Sequence, residues 1–328
     1  MSRCPCALLL VAAAALAGAR GAWALDLGGL TRTTFPQGTF AASERVQLRL
    51  GAGTLEVAIA PGPLDLPRDA LLAWIERCAK AVAAFYGTLP DPKARLLVVP
   101  TEGRGVRSGK TFGYPGAASR IELGRDTSAA DLARDWVLVH ELVHHAFPMM
   151  RDRHHWIEEG LATYVEPLAR AQAGQLSAET VWRDLVRGLP NGLPGPGDQG
   201  LDNTPTWGRT YWGGALFCLL ADIEIRSRTG NTRGLQDALR AIVADGGRIS
   251  RTWSIERALG VGDRATGVPV LAELYARMKD RPVAVDLDAL WHQLGVRLEG
   301  GEILFDDQAP MAAIRRAITA APSAGPRS

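Results

Sequence analysis

The stretch that decides the fold is HELVHHAFPMMRDRHHWIEEGLATY, residues 140–164. Its first five residues form an H-E-x-x-H motif, in which two histidines are four residues apart. On a helix this spacing places His140 and His144 one above the other, so both imidazoles can face one metal ion. Glu141 lies beside them, where its carboxylate can accept a proton from a water molecule that zinc acidifies. The motif therefore predicts a zinc-binding helix with Glu141 as general base.

A catalytic zinc site needs a third protein ligand, and the second half of the stretch offers Glu158 and Glu159. We predict Glu159, because it is followed by Gly160. A glycine inside a helix costs roughly 1 kcal/mol of stability relative to alanine. That cost makes sense if the missing side chain lets this helix approach the first helix closely, and we expect such an approach. Glu166 lies two turns beyond Glu159 on the same face, where it could orient a ligand.

Other histidines near the motif are the main alternative to Glu159. Five of the six histidines lie between residues 140 and 155, and His154 is the strongest rival. A metzincin motif would need a Gly and a third His at fixed positions, but Phe147 and Met150 stand there. The three other histidines near the motif therefore read as surface or substrate-facing residues, and His292 reads as an ordinary helix residue: the three are His145, His154 and His155.

A purely structural zinc site is a second alternative. Such sites usually close with four ligands rich in Cys, whereas this stretch has no Cys and keeps Glu141. The catalytic interpretation is favoured, and a non-catalytic binding protein with the same fold remains the other class of function. Aromatic side chains around the motif read as core packing, since aromatics at helical spacing usually build cores. They are Trp136, Trp156 and Tyr164.

The residues before the motif predict a small β-rich start. Residues 45–60 alternate apolar and polar side chains around Gly51-Ala52-Gly53, which predicts a hairpin. Apolar residues at helical spacing over 67–86 predict a helix, and residues 96–99 and 119–124 predict strands. Because the rest of the chain is mostly helical, the predicted fold class is α+β.

Ser128 and Asp131 form a capping box that predicts the start of the metal-binding helix, and Pro148 should end that helix by Phe147. A Gly/Pro-rich loop at 188–209 separates two of the helices that follow. The predicted helices are 156–172, 178–187, 210–228, 233–244, 268–279 and 286–294, and a last strand and helix are predicted at 302–305 and 309–319.

Residues 156–164 carry the pattern W-x-x-E-G-x-A-x-Y after the H-E-x-x-H motif. This arrangement resembles the gluzincin metallopeptidases, which include the glycyl aminopeptidases, the aminopeptidase N family and the MA-like peptidases. The resemblance implies one zinc ion per chain, held by His140, His144 and Glu159, in a thermolysin-like α+β fold. Only 14 residues separate His144 from Glu159, fewer than in aminopeptidase N, so the chain is most similar to the compact MA-like branch.

Residues 209–216, RTYWGGAL, resemble a Y-x-K-G-x-x segment of the same relatives. The resemblance implies that the Tyr211 hydroxyl stabilises the oxyanion of the tetrahedral intermediate. The lysine of the family pattern is replaced by Gly213 here, so no role of that lysine carries over.

The resemblance implies a peptidase that acts on peptide or protein substrates. Aminopeptidase N relatives carry a G-x-M-E-N loop whose Glu grips the free amino terminus, and residues 113–124 lack this motif. We therefore predict cleavage of internal bonds, with an aminopeptidase as the alternative if Glu122 points into the cleft. The strand at 119–124 is expected to pair with an extended substrate.

The first 24 residues predict a secretory signal peptide, with an apolar stretch followed by an A-x-A pattern that ends at Ala24. We expect a secreted or periplasmic protein with no stable membrane anchor after cleavage. The expected divisions of the chain are a β-rich subdomain at 25–127, a helical zinc-peptidase subdomain at 128–320 and a frayed tail at 321–328.

The charge balance argues against nucleic acid as a partner. The chain has 37 basic and 35 acidic residues, and loss of the signal peptide removes Arg3 and Arg20, which leaves a neutral protein. Cys78 and Cys218 remain after cleavage. Buried free thiols are favoured for both, with one disulfide between them as the alternative.

Overall fold

A five-stranded mixed sheet lies at the start of the computed structural model, which describes residues 34–321. The strand order is β1-β2-β3-β5-β4, with β1 and β4 antiparallel to their neighbours and the three inner strands parallel. The predicted hairpin is present as β1 and β2. The strands are β1 (Glu44–Leu50), β2 (Gly53–Ile59), β3 (Lys93–Thr101), β4 (Val106–Phe112) and β5 (Ala118–Gly124).

One of the two edge strands of this sheet, β4, was not predicted. β4 reads VRSGKTF and lacks a regular alternation of apolar residues, so the sequence carries no strand signal there. β4 pairs with β5, which therefore has partners on both sides. The expectation that residues 119–124 pair with substrate is wrong, because β5 is an inner strand and β4 holds the edge position.

Helices make up most of the chain after the sheet. The first two come before β1 and between β2 and β3 in the chain, and they are α1 (Gln37–Ala42) and α2 (Arg68–Tyr86). The others are α3 (Ala129–Ala133), α4 (Val137–His144), α5 (His155–Gln172), α6 (Ala178–Gly188), α7 (Gly214–Arg228), α8 (Leu235–Ala244), α9 (Ile255–Thr266), α10 (Val270–Met278), α11 (Leu287–Leu294) and α12 (Ala312–Thr319). A hairpin of β6 (Val296–Glu299) and β7 (Glu302–Phe305) precedes α12, and α1, α9 and β6 were not predicted.

The helix predicted to start at Ser128 is two helices. The Ser128–Asp131 capping box is present, but α3 ends at Ala133. The Asp135 carboxylate then accepts a hydrogen bond from the Leu138 amide at 3.2 Å, which begins α4. α4 ends at His144, and short turns continue to Phe147.

The helix predicted at 210–228 also begins differently. Residues 208–213 form a π-helical turn, and the regular helix α7 starts at Gly214. The Gly/Pro-rich loop before it contains a short 3-10 helix at Leu189–Gly192. The π-helical turn matters for the site because it contains Tyr211.

The two faces of the sheet pack against different groups. One face joins α2, α4 and the C-terminal helices in the main apolar core, which includes Ile121 and Leu123. The opposite face holds a small apolar cluster under α1, made of Phe35, Phe40, Ala58, Ala60, Leu97, Phe112 and Ala118. Alternation along β5 therefore decides which side chains point towards the metal-binding motif.

Some expectations fall outside these residues. The signal peptide predicted at 1–24 and all but the first residue of the tail predicted at 321–328 lie beyond the described range, and the subdomain boundaries stay a prediction. Between residues 34 and 321, no helix combines the length and the apolar character needed to cross a membrane. Cys78 and Cys218 are both buried free thiols, as favoured.

Candidate metal centre

The side chains of His140, His144 and Glu159 meet between α4 and α5. The Nε2 atom of His140 lies 3.1 Å from Glu159 Oε2, and the Nε2 atom of His144 lies 3.6 Å from the same oxygen. The candidate ligand atoms of the three residues all lie within 4.8 Å of one another. All three side chains are almost fully shielded from solvent, with exposures of 7% for His140, 10% for His144 and 11% for Glu159.

This donor set fits a zinc ion. Two donors of a tetrahedral zinc site with bonds near 2.1 Å are about 3.4 Å apart, and the two N–O separations here bracket that value. Two imidazole nitrogens and one carboxylate oxygen are also the ligand types of a catalytic zinc site. Among residues 34–321, this is the group of His, Cys, Asp and Glu side chains that could hold a metal ion.

The carboxylate and the imidazoles shift each other's proton affinity. Burial alone would raise the pKa of Glu159, but the neighbouring His144 and His140 hold it well below its usual range. Burial alone would lower the pKa of His144, but the charge and hydrogen bond of Glu159 raise it to about 9. The pocket is therefore built around an ionised carboxylate.

Glu141 is held by the edge strand. The Thr111 hydroxyl lies 2.6 Å from Glu141 Oε2 and 2.9 Å from the Glu141 backbone oxygen. Gly109, on the same strand, lies under the side chain, because a Cβ there would be 2.7 Å from Glu141 Cγ and Oε1. Strand β4, which the sequence did not predict, therefore fixes the candidate general base.

A chain of hydrogen bonds continues from Thr111 into the protein. Ser119 Oγ lies 3.0 Å from Thr111 Oγ1 and 2.8 Å from His145 Nε2. An ionised carboxylate only accepts, so Thr111 donates to Glu141, Ser119 donates to Thr111, and His145 donates from Nε2. Burial lowers the pKa of His145 to about 3, which keeps this donor neutral.

Tyr211 reaches the same site from the π-helical turn. Its ring stacks on that of His140, with centroids 6.3 Å apart and planes 19° from parallel. Burial raises the pKa of the Tyr211 hydroxyl, and the charges of Glu159 and Glu141 raise it further. The structure thus brings Tyr211 beside the three candidate ligands.

Two glycines set the distance between α5, which carries Glu159, and α7, which directly follows the π-helical turn that carries Tyr211. A Cβ on Gly160 would lie 2.3 Å from Gly214 Cα, and a Cβ on Gly214 would lie 2.2 Å from the Trp156 backbone oxygen. Gly160 therefore allows a close approach, but to α7 rather than to α4 as expected. The expectation was wrong because the sequence does not show which helix crosses α5 at this point.

Solved structures with a similar arrangement include an aminopeptidase N family protein from Idiomarina loihiensis, at 12% identity and a TM-score of 0.59. That match covers 78% of this chain and 50% of the other. An M1 zinc metallopeptidase from Deinococcus radiodurans has 18% identity and a TM-score of 0.50, over 74% of this chain and 53% of its own. The described chain has the gluzincin fold. It spans about half the length of these structures. No family model and no curated protein matches it.

Within the gluzincin fold, Glu122 lies on the wrong side of the sheet to reach the metal centre. Its neighbours Ile121 and Leu123 face the main core with α4, so Glu122 faces the opposite side. There it sits opposite Val99 on β3 and pairs with Arg120 at 2.8 Å. The alternative in which Glu122 points into the cleft is therefore wrong.

The remaining histidines differ from expectation. His154 is only 3% exposed, and its Nδ1 bonds Asp202 at 2.9 Å, so it belongs to the packing between α5 and a loop. His145 is 1% exposed, so both were wrongly expected at the surface or facing substrate. His155 is half-exposed and lies 3.4 Å from Glu159 Oε1.

Other side chains near the site divide between the core and the surface. Trp156 and Tyr164 are buried, as predicted for packing residues. Trp136 is 44% exposed, so its prediction as a core residue was wrong. Glu166, expected to orient a ligand, bonds Arg170 at 2.8 Å instead, and burial raises its pKa to about 7.

Proposed function

We propose that this protein is a zinc-dependent metallopeptidase with one zinc ion held by His140, His144 and Glu159. The observation that carries the proposal is the convergence of these donors beside Glu141 in a gluzincin fold. Zinc, when bound, supplies a Lewis acid that acidifies a water molecule and polarises the substrate carbonyl.

Glu141 acts as the general base and then as the general acid. Its carboxylate accepts the proton of the attacking water and passes it to the leaving amine. Thr111 holds one carboxylate oxygen, Oε2, so the other oxygen is left to handle the proton. The absence of a side chain at Gly109 gives that oxygen its place over the strand.

Tyr211 serves as a donor to the negative charge that develops on the substrate oxygen. A phenol hydroxyl aimed at a developing oxyanion stabilises the transition state more than the ground state. The stacking of Tyr211 on His140 supports this role, because it keeps the ring beside the metal ligands.

The edge strand β4 is the segment that can bind an extended peptide. An edge strand offers unpaired backbone groups to another strand, and β4 is the edge strand that lies beside Glu141, whereas β1 forms the opposite edge. Because Gly109 and Thr111 of β4 contact Glu141, a peptide paired with β4 would run past the general base.

The position of the cleaved bond is open to a direct test. The predicted preference for internal bonds finds no support, and one protein with a similar fold belongs to the aminopeptidase N family. We therefore favour release of amino-terminal residues. Glu122 is not the amine-binding group, because it faces the other side of the sheet.

Free and amino-terminally acetylated versions of the same peptides decide between the two modes. We expect cleavage of the free peptides and loss of cleavage on acetylation, measured by mass spectrometry of a diverse peptide library. Equal cleavage of both forms would mean an endopeptidase. The Glu122→Gln variant serves as a control and should behave as the unmodified protein does.

Metal analysis tests the site itself. The protein should bind about one zinc ion, and Glu159→Ala or His144→Ala should weaken that binding strongly, because only three protein ligands hold it. His154→Ala should keep the metal. Full metal in Glu159→Ala together with loss in His154→Ala would show that the third ligand is misassigned.

A further inference from the structure

Two half-exposed tryptophans flank the candidate metal centre. Trp136 is 44% exposed and Trp207 is 45% exposed. Between residues 34 and 321 the exposed large apolar side chains are these two, Tyr114, Leu298 and Leu304. Single exposed apolar residues are common, but two indoles beside one candidate active site call for a reason.

The two indoles are joined to the site by a series of ring contacts. Trp136 meets His140 edge to face at 5.4 Å, and His140 stacks on Tyr211 at 6.3 Å. Tyr211 in turn stacks on Trp207 at 6.3 Å, with planes 29° apart. The inner two rings are the candidate ligand and the candidate oxyanion donor, and the outer two are the tryptophans.

Each tryptophan lies at the start of an element that carries a residue of the site. Trp136 directly precedes α4, one turn before His140, and Trp207 directly precedes the π-helical turn. That turn is anchored by buried Arg209, which pairs with Asp198 at 2.7 Å and donates to the Gly192 carbonyl. The two indole rings are therefore placed by the elements that carry His140 and Tyr211.

The chemistry of the surface favours apolar ligands over cationic ones. An indole face binds aromatic and large aliphatic groups, and a cation only where its charge also finds an anionic partner nearby. The carboxylates of the site, Glu141 and Glu159, already bond Thr111 and the two ligand histidines. Asp135, which directly precedes Trp136, accepts from the Leu138 amide at the start of α4. The exposed faces of the two indoles therefore offer a flat apolar surface to a ligand.

We propose that Trp136 and Trp207 form the side-chain subsites of this enzyme, and that they select aromatic or large aliphatic residues next to the cleaved bond. This inference rests on the proposed peptidase function. A substrate with such side chains would cover the two indoles, whereas one with small or charged side chains would leave them in water.

Binding and cleavage are measured separately so that the two proposals can fail separately. Binding is measured by calorimetry with the zinc-loaded Glu141→Gln variant, using a peptide with Phe at the positions flanking the cleaved bond and its Phe→Ala counterpart. We expect the Phe peptide to bind about tenfold more tightly. Trp136→Ala or Trp207→Ala, each combined with Glu141→Gln, should reduce the ratio of the two affinities. Trp136→Phe in the same background should retain most of it.

The matched control is Leu304→Ala, which removes a large exposed apolar side chain from the β6–β7 hairpin and should leave the ratio unchanged. Zinc content is measured for every variant, so that a lost ligand is not mistaken for a lost subsite. The inference is overturned if the Phe and Ala peptides bind equally, or if the affinity ratio is undiminished in both tryptophan variants. It is also overturned if a third peptide, with Lys at the same positions, binds more tightly than the Phe peptide. Absence of cleavage by the zinc-loaded unmodified protein would instead count against the proposed function.

Discussion

The two sides of the metal centre are built by different means. On the sheet side, hydrogen bonds between side chains hold Glu141, through Thr111, Ser119 and His145. On the helical side, backbone contact between Gly160 and Gly214 sets the spacing of the helices that carry Glu159 and Tyr211. The sheet side should therefore be sensitive to loss of a hydroxyl, and the helical side to addition of a methyl group.

The largest effect on activity is expected from Glu141→Gln. The amide has nearly the same shape but cannot accept the proton, so turnover should fall by roughly 10²-fold to 10⁴-fold. Zinc content and melting temperature should stay unchanged, because the ligands are untouched. Substantial turnover of any cleaved peptide by this variant would show that Glu141, on the sheet side, is not the general base.

Tyr211→Phe tests the helical side in the same assay. Loss of one oxyanion donor should reduce kcat by roughly 10²-fold to 10³-fold, with little change in KM. The Phe ring keeps the stacking on His140, so zinc content should be retained. A rate like that of the unmodified protein would show that this hydroxyl does not act on the reacting oxygen.

Gly160→Ala tests the close approach of α5 and α7. The added Cβ would lie 2.3 Å from Gly214 Cα, so the helices must separate, which should lower the free energy of unfolding by about 3 kcal/mol. The measurement is urea unfolding. Gly260→Ala within α9 is the matched control, because its Cβ meets only the Arg264 side chain at 3.4 Å. That substitution should stabilise the protein slightly.

The smallest effect is expected from Thr111→Val. The change keeps the shape but removes the bond to Glu141, so kcat should fall about tenfold. Thr111→Ser, which restores the hydroxyl, should recover most of the rate. If Val and Ser at this position behave alike, the hydrogen-bonded chain does not position the general base.

The sequence was informative where helix geometry links neighbouring residues. The four-residue spacing of His140 and His144 is enough to place both rings on one side of a helix, and the structure brings Glu159 to them. Tyr211 was indicated only by resemblance, because nothing in local spacing relates it to the motif. Its approach depends on the π-helical turn, which the pattern did not predict.

The groups that surround these residues were missed for a common reason. Thr111 and Ser119 act through β4 and β5, and β4 carries too few apolar residues to read as a strand. His145 is polar in the sequence, yet Ser119 satisfies it inside the core. Trp136 shares the helical spacing of core aromatics, but the break between α3 and α4 leaves its ring half in water.

The short connection between α4 and α5 bears on the order in which the chain folds. His140 and Glu159 are 19 residues apart, whereas Glu141 and Thr111 are 30 apart and belong to a helix and a strand whose pairing needs the rest of the sheet. Closing the shorter loop costs less chain entropy, and local contacts form sooner than distant ones. During refolding with cobalt in place of zinc, the visible ligand-field bands should therefore appear before peptidase activity returns.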